Sequence, residues 1–291
     1  MNGIIVINKP LGRTSHDMVS FMRRMTRIKR IGHTGTLDPM AEGVLPICIG
    51  NATKVADMLT LSDKCYRAEL VLGMTTDTLD SEGEILSECE VNCTEEEIRT
   101  VIMSFVGEIE QLPPMYSAIK QNGQKLYELA RKGIEVERKT RKVTINSIDI
   151  ENIDMENHIV KIFVSCSKGT YIRTLCEDIG SKLKVGAYMN KLTRIKTGQF
   201  TIDDAKTTKE IEQMVLQGTL EENLVKVDEI FADLPQIYLN EKQTKSVTNG
   251  VQMTWRNAEE GENFRVYGND GKFLCISEIK DGRLKTVKSF R

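Results

Sequence analysis

Residues 4–7, Ile4-Ile5-Val6-Ile7, form an unbroken apolar run that stops before Lys9-Pro10-Leu11-Gly12. Such a run predicts a short buried strand, and the Pro/Gly stretch predicts the turn that ends it. Thr14 or Ser15 then caps a helix reaching about residue 25. Residues 31–50 are rich in Gly and Pro and show no clear period. Asn51 or Thr53 is expected to cap another helix through residue 61. Residues 66–72 read as a strand, and residues 74–84 as an acidic turn region. Thr94-Glu95-Glu96-Glu97 fits a capping box, after which Ile98, Val101, Ile102 and Phe105 mark one apolar helix face.

Pro113-Pro114 breaks the chain. Residues 143–150 and 159–165 alternate well enough to be two strands. Lys168-Gly169 leads into a helix over 171–183, and residues 201–235 carry acidic helical segments. From about Pro235 the pattern changes to short strands and turns such as Asn269-Asp270-Gly271. That tail predicts a small β domain of roughly 55 residues, near the lower limit for independent stability.

The chain has 291 residues, of which 40% are apolar and 28% charged, values that suit a soluble globular protein of one large domain plus a small one. No run approaches the length of a membrane span. The N-terminal apolar stretch has no basic lead and is too short for a signal peptide, so a cytoplasmic location is expected. The seven cysteines are odd in number and scattered, which predicts reduced, mostly buried thiols. Cys89 and Cys93 could sit four apart on a helix but lack partners for a zinc site.

Net charge is -2, which by itself argues against a nucleic-acid partner; its distribution argues the other way. Residues 1–60 hold eight Lys/Arg against four Asp/Glu, and residues 111–200 hold sixteen against nine. Residues 74–110 hold one against eleven, and residues 201–235 three against nine. Such segregation can build a basic face for phosphates, with acidic surface elsewhere.

Chemistry concentrates in Gly32-His33-Thr34-Gly35-Thr36-Leu37-Asp38-Pro39-Met40-Ala41-Glu42-Gly43-Val44-Leu45-Pro46. Three glycines and two prolines fix an irregular backbone, Gly32 and Gly35 permit dihedrals other residues avoid, and Pro39 pushes Asp38 toward the extended region. An isolated Asp-Pro is most often a plain turn. This one follows the basic run at 23–30, where a carboxylate weakens phosphate binding unless it has a use. Gly32-His33-Thr34-Gly35 matches the GXXG loop of KH domains, but the proline-rich continuation does not suit it. No Gly-Lys-Ser/Thr follows to make a Walker loop. A second segment, Ser167-Lys168-Gly169-Thr170-Tyr171-Ile172-Arg173, joins a strand to a helix, with an anion-binding turn at Lys168 and with Tyr171 and Arg173 in the first helical turn. Lys64-Cys65-Tyr66-Arg67 and Lys191-Leu192-Thr193-Arg194 are unremarkable in isolation.

Together these stretches resemble the TruB-type tRNA pseudouridine-55 synthases. The resemblance runs through Lys9-Pro10-x-Gly12-x-Thr14-Ser15, the whole 32–46 block, Lys64-x-Tyr66-Arg67 and Thr76-Asp77-Thr78-x-Asp80-x-x-Gly83. It continues through Pro113-Pro114-Met115-Tyr116-Ser117-Ala118-x-Lys120, Ser167 to Leu175, and Leu192-x-Arg194. It implies an α+β fold with a mixed, largely antiparallel central sheet flanked by helices over residues 1–234, and a small PUA-like RNA-binding β domain over 235–291. It implies Asp38 as the catalytic aspartate, Arg173 as its partner, and Tyr66 stacked on the target base with a part in proton transfer. His33 would enter the T-loop, Tyr171 and Leu192 would line the uridine pocket, and Lys168 would contact RNA. Lys9 and Pro10 would support the site.

The reaction so implied breaks C1′–N1, turns the uracil and joins C1′ to C5. It exchanges no electrons and consumes no water, so no cofactor and no metal is expected. Whether the carboxylate attacks C1′, attacks C6 or assists elimination stays open at this level. The expected partner is the tRNA T-arm, without guide RNA, membrane or obligate oligomer. The alternatives are a guide-dependent synthase of the same superfamily and a non-catalytic RNA-folding factor in which Asp38 is dispensable.

Overall fold

A computed structural model describes residues 1–121, 123–255 and 259–290. The first half of the chain contributes β1 (Gly3–Lys9), β2 (Ile31–His33), β3 (Ala41–Ile49), β4 (Lys64–Leu72), β5 (Met74–Thr76), β6 (Ile85–Glu88) and β7 (Gly107–Gln111). Two short strands, β8 (Lys120–Gln121) and β9 (Gln124–Lys125), precede the long β10 (Arg141–Asp154), β11 (Ile159–Cys166), β12 (Ala187–Thr197) and β13 (Phe200–Thr201). The helices of this part are α1 (Ser15–Thr26), α2 (Ala56–Thr60), α3 (Glu95–Met103), α4 (Leu126–Ala130), α5 (Ile172–Leu183) and α6 (Thr208–Gln217). The tail holds β14 (Gln236–Tyr238), α7 (Glu241–Thr248), β15 (Met253–Thr254), β16 (Asn263–Tyr267), β17 (Phe273–Lys280) and β18 (Arg283–Ser289).

One sheet runs β1-β3-β12-β4-β11-β10-β7, with β2 beside β3 and β13 beside β12. All its pairings are antiparallel except β12 with β3. The mixed, largely antiparallel sheet expected from the sequence is thus present. The tail forms a second sheet, β14-β16-β17-β18-β15.

The apolar run at the start of β1 is buried on both faces. Ile5 and Ile7 face a large core with Met18, Val19 and Met22 of α1 and Leu175 and Ile179 of α5. Ile4 and Val6 face a smaller cluster with Val44, Phe200, and Ile276 and Phe290 from the tail. A strand covered on both sides has no reason to alternate, which is why its sequence does not. The small sheet therefore packs on the back of the large one, completed by Phe290 stacked at 5.2 Å on Phe273 and tilted against Phe231 at 5.9 Å. This shared core compensates for a tail too small to bury much of its own apolar surface.

Helix starts follow the caps. Thr14 accepts from the Asp17 amide and Asp17 reaches back, which begins α1; Thr94 and Glu97 do the same for α3.

Several expectations need correction. Residues 31–50 are not irregular throughout: β2 and the nine-residue β3 lie there. Gly43 and Pro46 read as breakers, yet β1 pairs with β3 without interruption from Gly43 to Ile49. Pro46, which has no N–H to donate, falls between the stretch paired with β12 (41–43) and that paired with β2 (47–49). Gly43 is needed for room, because a Cβ there would lie 2.3 Å from the Arg194 carbonyl oxygen, and its φ is +105°. Gly35 also takes a positive φ (+139°), but Gly32 sits in open strand geometry and makes no such demand.

Neither Asn51 nor Thr53 caps a helix. A 3-10 turn over Gly50–Val55 starts from Ile49, and Thr53 instead bonds the Gly50 carbonyl and Arg30. The stretch 74–84 is partly strand, since β5 pairs with β6. Tyr171 is the residue before α5 rather than part of its first turn. The thiols of Cys48, Cys166, Cys176 and Cys275 are buried, whereas Cys89 is exposed. No helix among the described residues is long and apolar enough to cross a membrane.

Candidate active site

Asp38 sits in the segment between β2 and β3, and that segment is held from several sides. The Ser15 hydroxyl, at the start of α1, accepts from the Leu37 amide (2.7 Å) and donates to the Leu37 carbonyl (3.2 Å). The Gly12 amide donates to the Pro39 carbonyl at 2.9 Å, and the Ala41 amide to the Asp38 carbonyl at 3.1 Å. Lys9, fully buried at the end of β1, donates to the carbonyls of Pro10, Arg13 and Pro39. Burial pulls its ammonium down to about 8. Arg194, 1% exposed on β12, donates to the carbonyls of Val44 (2.7 Å), Gly35 (3.2 Å) and Thr36 (3.5 Å). Two buried cations thus bind main-chain carbonyls under the loop, where most proteins would place them against carboxylates.

The loop presents Asp38 to Arg173. Arg173 Nε lies 3.1 Å from Asp38 Oδ2, with side-chain exposures of 6% and 35%. The other guanidinium nitrogens are also engaged. Nη1 donates to Asp80 Oδ2 (3.3 Å) and the Thr78 carbonyl (3.2 Å), and Nη2 donates to the Tyr116 carbonyl (2.7 Å). Asp80, 3% exposed, is fixed in turn by the Thr78 hydroxyl (2.6 Å) and the Glu82 amide (3.1 Å). One guanidinium therefore joins three segments remote in sequence: the Asp38 loop, the β5–β6 turn and the stretch after Pro113-Pro114.

Crowding by the chain pushes the Asp38 carboxyl up, Arg173 pulls it down, Asp80 pushes it up and Lys9 pulls it down. Glu82 is raised as well, by burial first and then by Asp80 and Asp38. Part of the acidic segment 74–110 thus lies beside the site, not on surface elsewhere.

Tyr66, on β4, is buried and pairs across the sheet with Arg194 on β12. Its hydroxyl bonds the Arg194 guanidinium; burial raises its pKa and the Arg194 charge lowers it. Asp38 is close enough to raise it further. Tyr171 is half-buried; burial raises its hydroxyl, which lies near Ser117 and feels Arg173 and Asp38. Leu192 is buried on β12, opposite Ala41 and Ala68. His33 ends β2; its Nδ1 accepts from the Gly35 amide at 3.3 Å, and burial with the Arg194 charge lowers its pKa.

The structure joins Asp38 to Arg173 directly and brings Tyr66 and Tyr171 within electrostatic reach of both or one of them. Lys168 stands apart: it is exposed in the β11–α5 loop, and its charge opposes that of buried Lys64. No role for Asp80, Arg194 or Gln111 was legible in the sequence, although the first two stand in the matched stretches. Arg173, only 5% exposed, is a buried charge although it follows an exposed loop.

The chain is similar over its length to known proteins. Residues 23–172 match the model of the TruB family pseudouridylate synthase (N terminal domain). Residues 173–234 match the tRNA pseudouridylate synthase B C-terminal domain, and 235–287 match pseudouridine synthase II TruB, C-terminal. The chain is 47% identical over 295 residues to a tRNA pseudouridine synthase B of Clostridium perfringens, covering 99% of this chain and 98% of that one. It is 42% identical over 297 residues to the protein of that name from Bacillus cytotoxicus, covering 99% and 97%. The archaeal box H/ACA sRNP Nop10-Cbf5 complex contains a chain of the same fold, with a TM-score of 0.71 at 23% identity, covering 99% of this chain and 86% of that one.

Proposed function

The chain belongs to the TruB family of pseudouridylate synthases, and on that premise we propose that it converts the uridine at position 55 in the tRNA T-loop to pseudouridine. The observation that carries this reading is the Asp38–Arg173 contact: a carboxylate with a third of its surface open, aligned by a guanidinium that is itself buried. A carboxylate must be ionised to act as nucleophile or base, and the neighbouring cation favours that form.

The target atoms are shielded within folded RNA, so the uridine is flipped out and its ring stacked on an aromatic side chain. Tyr66 supplies that stacking face, while Tyr171 and Leu192 line the pocket. His33 enters the T-loop and helps hold the extruded conformation, and Lys168 meets the RNA backbone from the loop before α5. Asp38 starts cleavage of C1′–N1. The freed uracil turns, C5 bonds to C1′, and the proton on C5 leaves, with Tyr66 handling a proton. N1 ends protonated, so atoms and charge balance without water or an added electron carrier.

In this reading residues 1–234 carry the reaction and residues 235–291 extend the RNA-binding surface. The protein acts in the cytoplasm as a monomer and needs no guide RNA. The test is tritium release from an unmodified tRNA transcript labelled at uridine C5, comparing wild type with Asp38→Asn. Release by the wild type alone, without guide, is the expected result. A silent wild type on a transcript that still binds overturns the stand-alone enzyme in favour of a guide-dependent or folding role.

A further inference from the structure

Gln111 is the last residue of β7, the end strand of the large sheet, and is 1% exposed. Its carboxamide does not serve its own strand. Oε1 accepts from the Tyr171 amide at 3.0 Å, and Nε2 donates to the Tyr171 carbonyl at 3.3 Å. One donor and one acceptor on the same residue fix which way the amide points. The side chain therefore pairs with Tyr171 as a neighbouring strand would, across 60 residues of sequence.

Helix capping does not explain this pair. A cap accepts from the free amides inside the first turn. Gln111 instead holds the N–H and C=O of the extended residue that precedes α5, where no side-chain cap is present. The segments on either side are joined in the same sense. The Thr174 hydroxyl donates to the Leu112 carbonyl at 3.5 Å, and Arg173 Nη2 donates to the Tyr116 carbonyl at 2.7 Å. Residues 111–116 thus form a strap along residues 171–174, and Gln111 is its fully buried end. A polar amide is costly to bury, and an apolar side chain would close the sheet edge equally well, so its two bonds to Tyr171 are the reason for its presence.

We infer that Gln111 is a positioning residue for the uridine rearrangement. It fixes the main chain of Tyr171, and with it the ring at the pocket and the start of the helix from which Arg173 reaches Asp38. The inference rests on the proposed synthase activity. Misplacement of reacting groups by about 1 Å can cost about a hundredfold in rate.

The test uses the full chain and the tritium-release assay under single-turnover conditions, with transcript binding and thermal melting measured in parallel. Gln111→Met keeps the shape and loses both bonds. It is expected to slow the single-turnover rate by about a hundredfold while the transcript still binds as tightly as to wild type. Gln111→Glu matches the amide only while protonated, when its O–H donates to the Tyr171 carbonyl and its C=O accepts from the Tyr171 amide. Its rate relative to wild type at each pH is expected to fall as pH rises. A folded Gln111→Met with the wild-type rate overturns the inference. Should that variant fail to fold, a pH-independent rate ratio for Gln111→Glu overturns it instead. A silent wild type sinks the synthase reading and this inference with it, whereas an active wild type matched by active variants sinks this inference alone.

Discussion

Arg173 and Asp80 form an ion pair with side-chain exposures of 6% and 4%, held by a contact of 3.3 Å that bridges 93 residues of sequence. The same guanidinium reaches Asp38, so Asp80 fixes the group that aligns the proposed catalytic carboxylate. Removing one partner of a buried pair leaves the other charge uncompensated, at a cost of about 3–5 kcal/mol. Here the lower end applies, because Asp38 still faces Arg173. Asp80→Asn should therefore lower stability by about 3 kcal/mol in denaturant titration. It should also slow single-turnover tritium release about a hundredfold, because a displaced guanidinium no longer orients Asp38. Wild-type rate in a folded Asp80→Asn protein would remove Asp80 from the positioning set.

The acid side of the pH–rate profile should belong to Asp38. Its carboxyl is raised above the ordinary aspartate value, chiefly by burial, with Arg173 and Lys9 opposing and Asp80 adding to the rise. The ionised form is the reactive one, so the rate falls with falling pH, with a midpoint above that of a free aspartate. The stability sign is opposite to that of a salt-bridged surface aspartate. The folded state binds this proton more tightly than the unfolded one, so ionised Asp38 is a cost to folding that grows as pH rises from the unfolded to the folded pKa and then stays. Asp38→Asn should consequently melt higher than wild type at neutral pH, and the difference should shrink toward acid. A lower melting point at neutral pH would contradict this assignment of charge.

Tyr66→Phe separates stacking from proton transfer. The ring and its place on β4 remain, while the hydroxyl bonded to Arg194 is lost. If Tyr66 handles a proton, the single-turnover rate should fall by at least about a hundredfold with transcript binding retained. An unchanged rate excludes the proton role and leaves Tyr66 as a stacking surface only.

Much of the frame is written locally. The apolar run of β1, the capping boxes at Thr14 and Thr94, and the change of pattern near Pro235 are each legible because strands, helix starts and turns depend on neighbouring residues. The Gly/Pro-rich block around Asp38 marks itself by composition. Its resemblance to a family supplied Arg173 as a partner, and the 3.1 Å contact agrees.

Tertiary structure decided the rest. Strand β3 holds together despite Gly43 and Pro46 because β1 pairs with it unbroken from Gly43 to Ile49 and β12 approaches so closely at Gly43 that no Cβ fits. In β12, Lys191 and Arg194 look like solvated charges, yet Arg194 is 1% exposed because the carbonyls of Gly35, Thr36 and Val44 and the Tyr66 hydroxyl receive its guanidinium. Asp80 stands in a matched stretch but with no role legible there, and Gln111 carries no local mark, for an aspartate in an acidic turn and a glutamine ending a strand are ordinary surface residues until the fold brings Arg173 and Tyr171 against them. The sequence by itself determined the carboxylate and the loop that offers it, because backbone chemistry acts over a few residues. Only the packed sheet determined which buried charges and amides hold that loop still, because those partners lie tens of residues apart and meet only when the strands between them pair.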